Sequence, residues 1–257
     1  MIFQRLLLFV LSVLSVASGA FASVQGTRHL NVRDGLSSRQ VYKLSQDSVG
    51  YIWIYSNAGL DRFDGHRTRH YALDARRESI DHILWATTLM PDSTGAMWVA
   101  QMSGDLYRYD RAADRFVREY EFADSEARIY GFAFAGDRVL LATNKGLYGL
   151  RRNASGVFEP ELLALDGRLV TAIVGLEGGA VYAGTDAGVY AVDLSRGYSA
   201  TLLPDSRSLY VKSLAVSDGK LYIGTFSRGV YSAPLSGGAV RQAFEGFPLC
   251  RSMRSNP

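Results

Sequence analysis

Short runs in which apolar and polar residues alternate recur along this chain, punctuated at regular distances by Gly, Asp and Asn. Alternation with period two marks strands that bury one face, and turn residues between such runs mark hairpins. The clearest pair of units is VYKLSQDSVGYIWIYSNAGLDRFD from Val41 and ATTLMPDSTGAMWVAQMSGDLYRYD from Ala86. Asp47, Gly50, Trp53 and Gly59 of the first align with Asp92, Gly95, Trp98 and Gly104 of the second without a gap. Three weaker copies follow: GFAFAGDRVLLATNKGLYGL from Gly131, VTAIVGLEGGAVYAGTDAGVYAVD from Val170 and VKSLAVSDGKLYIGTFSRGVYSA from Val211. The later glycine of each unit stands at Gly59, Gly104, Gly146, Gly188 and Gly229. That period of about forty residues falls in the range of propeller blades.

Each unit reads as an alternating strand, a turn, a second strand with an aromatic or aliphatic anchor, a Gly-containing connection and a third strand such as GLYGL or GVYAVD. Asp218-Gly219 and Gly178-Gly179 have the composition of two-residue hairpin turns that need positive φ. A fourth strand fits residues 68–73, 116–122, 200–203 and 240–244. Four strands per unit is the blade pattern. The expected fold class is therefore all-β, a β-propeller of four-stranded antiparallel blades with five blades and the start of a sixth. The blades are expected at about 37–80, 81–124, 125–166, 167–206 and 207–247, with the sixth beginning at 248–257, on the repeat criterion. The Asp-x-x-Gly-x-x-Trp element offers one carboxylate followed by apolar residues, whereas a calcium loop needs several oxygen ligands at fixed spacing. Asp47 is expected to bind its own turn, Gly50 to adopt a conformation closed to other residues, and Trp53 to pack between blades.

The segment DGLSSRQVYKLSQDSVGYIWIYSNAGLDRFDG, residues 34–65, resembles the first repeat of the two-component regulator propeller family. That family's pattern has an Asp-Gly-Leu-Ser opening, a Gln-Asp-x-x-Gly hairpin, Trp-Ile-Gly-Thr, then Gly-Leu and an Asp-Gly end. Ala183-Gly184-Thr185 and Ile223-Gly224-Thr225 keep the Gly-Thr step, while Tyr55-Ser56 and Ala100-Gln101 depart from it. The resemblance covers about residues 28–253 on the repeat criterion. It implies a bacterial periplasmic or extracellular sensory region, commonly followed by a membrane span and a histidine kinase or diguanylate cyclase. No kinase-type His box and no cyclase signature occurs within the 257 residues.

The N-terminal residues add a compartment. Arg5, the apolar run 6–16 and the small-x-small step Ala20-Phe21-Ala22 read as an export signal over residues 1–22, cleaved after Ala22. The rival reading is an uncleaved anchor, but the strongly apolar core is about half of the roughly 20 residues that cross a bilayer. A periplasmic protein is the expectation. Cys250 is the only cysteine, so no internal disulfide forms, and with four scattered histidines a metal site is not expected. A net charge of +3 without a dense Lys/Arg block argues against nucleic acid.

At the other end, Cys250-Arg251-Ser252-Met253 aligns with Val211-Lys212-Ser213-Leu214, as though a sixth blade opens there. Residues 28–32 read as a closing strand whose partner blade would lie beyond Pro257. The chain is thus expected to be an N-terminal fragment or a truncated reading frame with an incomplete ring, or a half that pairs with more protein. A complete five-bladed ring is the alternative.

Loops leading into the innermost strands carry Arg39, Arg77, Arg128, Arg168 and Arg207. Connections between second and third strands carry Asn57, Gln101, Lys145, Asp186 and Arg228. Both sets belong to one face of a propeller, and convergent arginines attract carboxylate or sulfate groups. From these, Arg39, Asn57, Gln101, Lys145, Arg168, Asp186, Arg207 and Arg228 are the candidate ligand-binding residues, for a small molecule or glycan, an anionic sugar foremost. The same charges read also as solvated loop tips. Tyr107, Tyr109, Tyr148, Tyr190 and Tyr231 follow the repeat glycine at strand positions and are expected to pack between blades.

No nucleophile elbow, zinc-protease motif or phosphate loop is present, and neither a catalytic residue nor a cofactor is expected. The expected function is ligand sensing outside the cytoplasm. Its partners would be further C-terminal blades, a membrane-linked signalling domain and, in a homodimer, a second copy. The alternatives are a secreted or periplasmic carbohydrate- or protein-binding propeller without its own output, and a glycan-active propeller enzyme.

Overall fold

Strand-forming runs separated by tight turns pair with their nearest neighbours in sequence, and that local pairing generates the architecture. The computed structural model describes residues 29–71, 73, 88–176, 179–195 and 197–244. The export signal, Arg77, Gly178, Cys250 and the start of a sixth blade at 248–257 lie outside the described residues.

Twenty strands are described, in five four-stranded antiparallel sheets whose strands follow sequence order. Blade 1 contains β1 (Val41–Gln46), β2 (Ile52–Ser56), β3 (Gly59–Phe63) and β4 (Thr68–Tyr71). Blade 2 contains β5 (Thr88–Pro91), β6 (Met97–Ala100), β7 (Asp105–Asp110) and β8 (Arg115–Glu121). Blade 3 contains β9 (Ile129–Ala135), β10 (Arg138–Thr143), β11 (Gly146–Arg152) and β12 (Phe158–Ala164). Blade 4 contains β13 (Val170–Gly175), β14 (Ala180–Thr185), β15 (Gly188–Asp193) and β16 (Ser199–Leu202). Blade 5 contains β17 (Val211–Ser217), β18 (Lys220–Thr225), β19 (Val230–Pro234) and β20 (Arg241–Phe244). The first strands of successive blades touch, β1 on β5, β9 on β13 and β13 on β17, so they line the axis. The fold is an all-β propeller.

The repeat signature has a direct physical basis. Asp47 Oδ1 accepts from the N–H groups of Val49 and Tyr51, and Oδ2 accepts from the Trp53 indole at 3.0 Å. Asp92 repeats this with Thr94, Ala96 and, at 2.8 Å, the Trp98 indole. The aspartate therefore closes its turn and also fixes the rotamer of the tryptophan six residues on. Gly50 and Gly95, at φ +97° and +79°, supply the positive φ the turn requires.

Trp53 lies in a core shared by blades 1 and 2 with Tyr55, Leu60, Leu89, Val99 and Tyr109. Trp98 lies in the core of blades 2 and 3 with Leu106, Ile129, Phe132 and Leu141. Two further cores join blades 3 and 4, and blades 4 and 5. Tyr107 and Tyr109 are buried, and Tyr148, Tyr190 and Tyr231 pack half-buried against these cores, as the strand pattern suggests. Close approach is helped by glycine: a Cβ on Gly184 would stand 2.4 Å from Cγ1 of Val211 in the next blade.

A polar lock adds to the seam between blades 1 and 2. Tyr71 and Tyr109 each donate to Asp114 Oδ1 at 2.6 Å, and Arg62 approaches the same oxygen at 3.2 Å. The Arg62 guanidinium lies over the Tyr51 ring at 4.6 Å and the Tyr71 ring at 5.5 Å. Burial alone would raise the Asp114 carboxyl, but the two phenols and two arginines hold it below the usual range.

None of the four cores joins blade 5 to blade 1 among the described residues. Leu44, Leu89, Phe132, Ile173 and Leu214 occupy one register position on the first strands, opposite Ile54, Val99, Leu141, Ala183 and Ile223. Leu89, Phe132 and Leu214 are 7%, 2% and 8% exposed, each seated against the preceding blade. Leu44 is 61% exposed.

Two local expectations need correction. His29 to Val32 do not form a closing strand: residues 29–31 carry no strand, and Val32–Asp34 is a 3-10 turn closed by the bond from Gly35 N to Val32 O. The ungapped alignment of Gly59 with Gly104 also fails locally. Gly59, Gly146 and Gly188 pair with Ser56, Thr143 and Thr185 across two-residue turns. In blade 2 the turn is one residue longer, so Gly104 lies inside it and Asp105 takes the paired place opposite Gln101. Gly229, opposite Thr225, likewise follows a three-residue turn.

Candidate functional site

The first strands break strict alternation at the same point in four blades. Val41 and Leu44, Ile129 and Phe132, Val170 and Ile173, and Val211 and Leu214 are apolar pairs three residues apart. On a regular strand, residues three apart lie on opposite faces. Ile129 and Phe132 nevertheless share one core, as do Val170 and Ile173, and Val211 and Leu214. The backbone reconciles this with a β-bulge: the register shifts at Tyr42, Tyr130, Thr171 and Lys212. A bulge re-aims the extra side chain and is common next to sites.

All four bulges lie where the innermost strands begin. The connections between second and third strands lie on this same face, because each blade runs up, down and up again. One mouth of the axial channel is thus lined by bulge residues and ringed by these connections. Thr171 is spent locally, its hydroxyl meeting Gly184 O at 3.1 Å and Val211 O at 2.7 Å. Tyr42 packs its ring against Tyr55. Tyr130 and Lys212 are half-buried. Burial raises the Tyr130 phenol pKa, the Tyr210 phenol nearby raises it further, and Arg128 opposes both.

At blade 5 the mouth carries an exposed aromatic pair. Tyr210 immediately precedes β17 and Phe226 opens the turn after β18; a bond from Phe226 N to Tyr210 O, 2.9 Å, ties the two segments together. Their rings stack at 5.7 Å with 28° between planes, and they are 37% and 44% exposed. The Lys212 ammonium lies 4.7 Å from the Tyr210 centroid and 5.5 Å from that of Phe226. Arg228 donates to Ser208 beside them at 3.0 Å.

The candidate residues read from the loops are distributed on this face in different states. Arg39, Asn57, Arg168, Asp186, Arg207 and Arg228 are exposed. Asn57 donates to Gln40 at 3.1 Å, and the Arg168 guanidinium lies 5.7 Å over the Tyr190 ring. Lys145 is half-buried with Asp124 at 3.5 Å. Gln101 is buried. In four blades a Ser or Thr at its position ties its own turn, as when Thr143 donates to Gly146 O at 2.7 Å and accepts from Lys145 N at 3.0 Å. Gln101 replaces that hydroxyl in blade 2, and its Oε1 is a buried atom without a hydrogen-bond partner, while Arg118 Nη1 pairs with Asp105 Oδ1 at 3.6 Å and Glu121 at 2.9 Å nearby.

Away from the mouth, a cleft of about 1120 Å³ opens between blades 3 and 4 on the opposite face, lined by Asp137, Arg138, Leu176, Tyr182 and Ser195 among others. None of the loop-derived candidates lines it. Arg138 there is engaged by Glu161 at 3.1 Å and Tyr198 at 2.9 Å. A Ser-His-Asp group also occurs in blade 1. Ser37 Oγ and His70 Nδ1, 2.6 Å apart, both meet Oδ1 of the buried Asp61, and Ser37 N donates to Oδ2 at 2.9 Å. A nucleophilic triad needs the serine and the carboxylate on different ring nitrogens. Here one nitrogen serves both, and the group fastens the segment before β1 onto β3 and β4.

No protein-family model matches the chain, and no curated protein matches its sequence. Solved structures do match its fold. The virginiamycin B lyase of Staphylococcus aureus with quinupristin aligns over 85% of this chain and 74% of its own, with 13% identity and a TM-score of 0.64. The extracellular domain of a putative hybrid two-component system from B. thetaiotaomicron aligns over 81% of this chain, with 25% identity and a TM-score of 0.61. Another such domain from B. thetaiotaomicron aligns over 87%, with 18% identity and a TM-score of 0.57. The chain spans 28% and 38% of those two chains' lengths. The likeness is one of fold, and the fold is shared by enzymes and extracellular domains of signalling proteins.

Proposed function

We propose that this chain is the ligand-sensing propeller of a bacterial signal-transduction protein, exported to the periplasm and binding its ligand at the bulge-lined mouth. The observation that supports the reading is the recurrence of a bulge at one point of four innermost strands, all at the same end of the axis. Exposed arginines on the same face give that opening an anion-attracting field. The likeness to extracellular domains of two-component systems supports a sensory setting. A membrane-linked signalling domain is the proposed partner, and ligand binding would act on it by favouring one of two arrangements of blades or subunits.

The test is a thermal-shift and calorimetric screen of the full chain against neutral and acidic glycans. A ligand should stabilise the native protein, and Arg168→Glu with Arg207→Glu should abolish binding of an anionic one. Unchanged binding in that double variant would remove the arginine field from the mechanism. A second reading, a propeller enzyme, draws on the likeness to the lyase. Turnover of any glycan in the same screen would favour it.

A further inference from the structure

We infer that the blade 5 side of the mouth is a subsite for one anionic sugar ring, held by Lys212 against Tyr210 and Phe226. The inference rests on the reading of the mouth as the ligand site and adds the chemistry of its occupant.

Four observations meet at this place. Two large aromatic rings stand 37% and 44% exposed where nearly all other described aromatic residues are buried or half-buried, and they stack on each other across two chain segments. Aromatic surface left in water is costly and becomes useful when a ligand covers it. A backbone bond at 2.9 Å ties the two segments that carry the rings, so less backbone freedom is lost when a ligand arrives. The lysine beside them is the bulge residue of β17, aimed by backbone geometry rather than by a ladder partner. No salt bridge to Lys212 occurs among those described, although carboxylates partner many other cations of this protein.

The arrangement selects a class. An ammonium 4.7 Å from one ring centroid and 5.5 Å from the other puts charge and apolar face within the span of a single six-membered ring. A pyranose offers an apolar C–H face to an aromatic ring and hydroxyls at its rim, and a carboxylate or sulfate on that same ring reaches the ammonium. The phenols of Tyr130 and Tyr210, close enough to influence each other, supply hydroxyl partners. A flat polyanion without an apolar face would leave Phe226 bare. A neutral sugar would leave the lysine unpaired.

The full chain is titrated by calorimetry with tetragalacturonate, its methyl ester and a chondroitin sulfate tetrasaccharide, in the wild type and in Lys212→Met, Phe226→Ala and Tyr130→Ala. Tetragalacturonate or the sulfated tetrasaccharide should bind; the first carries carboxylates alone and the second both carboxylates and sulfates, so binding of the first assigns a carboxylate and binding of the second alone points to the sulfate. Lys212→Met should weaken the acidic ligand by about tenfold, the usual scale for a charge-assisted bond, and leave the ester within about twofold. Phe226→Ala should weaken both. Affinity of the wild type for the acid should fall with added salt while that for the ester holds, which tests the charge even if a variant misfolds. Equal binding of acid and ester, or no binding of either acidic ligand, overturns the subsite. If the ester binds and Tyr130→Ala abolishes that binding, the mouth reading survives without the anion. If a ligand binds and no variant changes it, both readings fall.

Discussion

Truncating Leu89 and Leu44 to alanine, one at a time, measures whether the outer flank of blade 1 stands open in solution. The two leucines occupy one register position in successive blades. Leu89 is 7% exposed and packs with Trp53, Met97 and Val99 between blades 1 and 2. Removing it forfeits the transfer free energy of its branched end and leaves a cavity, together about 3 kcal/mol. Leu44 is 61% exposed, so about two-fifths of the transfer contribution survives and no enclosed cavity forms. Its loss should be below about 1 kcal/mol. At about 2–4 °C per kcal/mol for a domain of this size, Leu89→Ala should lower Tm by about 6–12 °C and Leu44→Ala by at most about 4 °C. Urea midpoints at constant m-value give the same comparison without reliance on heating. If Leu44→Ala costs as much as Leu89→Ala, this flank of blade 1 is covered in solution by packing that the described residues do not provide.

Three further outcomes follow from the packing and the hydrogen bonds. Burial would raise the Asp92 carboxyl, yet bonds from Thr94, Trp98 and Ala96 hold it below its ordinary value of 3.8. Its contribution is therefore present above that pH and lost as pH falls through the depressed value, so Asp92→Asn should flatten stability against pH below about 4 in urea titrations; an unchanged acid limb would count against this. Gly184→Ala should cost about 1–3 kcal/mol through its clash with Val211, and adding Val211→Ala should recover part of that; strict additivity would show that the clash is not the cause. Ser37→Ala should cost about 1–2 kcal/mol by weakening the tie to buried Asp61, and faster hydrogen exchange around Leu36 should accompany it.

The blades were legible because each rests on local pairing: Asp47 and Gly50 write the turn, and Trp53 writes the seam, within seven residues. The fourth strand of blade 3, Phe158–Ala164, is hidden in the sequence because Pro160 and two glutamates, Glu159 and Glu161, obscure its alternation. Outcomes at the mouth were harder to read. Loop charges mark a face, but whether Gln101 turns inward or Lys145 pairs with Asp124 depends on neighbours distant in sequence. The bulges did leave a trace, the three-residue spacing of Val211 and Leu214 and its equivalents, which a period-two reading passes over. Tyr210 and Phe226 left none, since only the pairing of two loops brings their rings together. Likewise nothing near Ser37 in sequence announces Asp61 and His70.

A bulged residue has no partner in the ladder, so its side chain is not set by the pairing that holds the blade. The flanking positions repeat one theme around the axis: Val41, Ile129, Val170 and Val211 before the bulge, and Leu44, Phe132, Ile173 and Leu214 after it. Between them stand a phenol, a second phenol, a hydroxyl and an ammonium. Substitution at Tyr130 or Lys212 can therefore retune the opening while register and seams persist, so a duplicated blade becomes an independent letter in the molecule's chemical vocabulary.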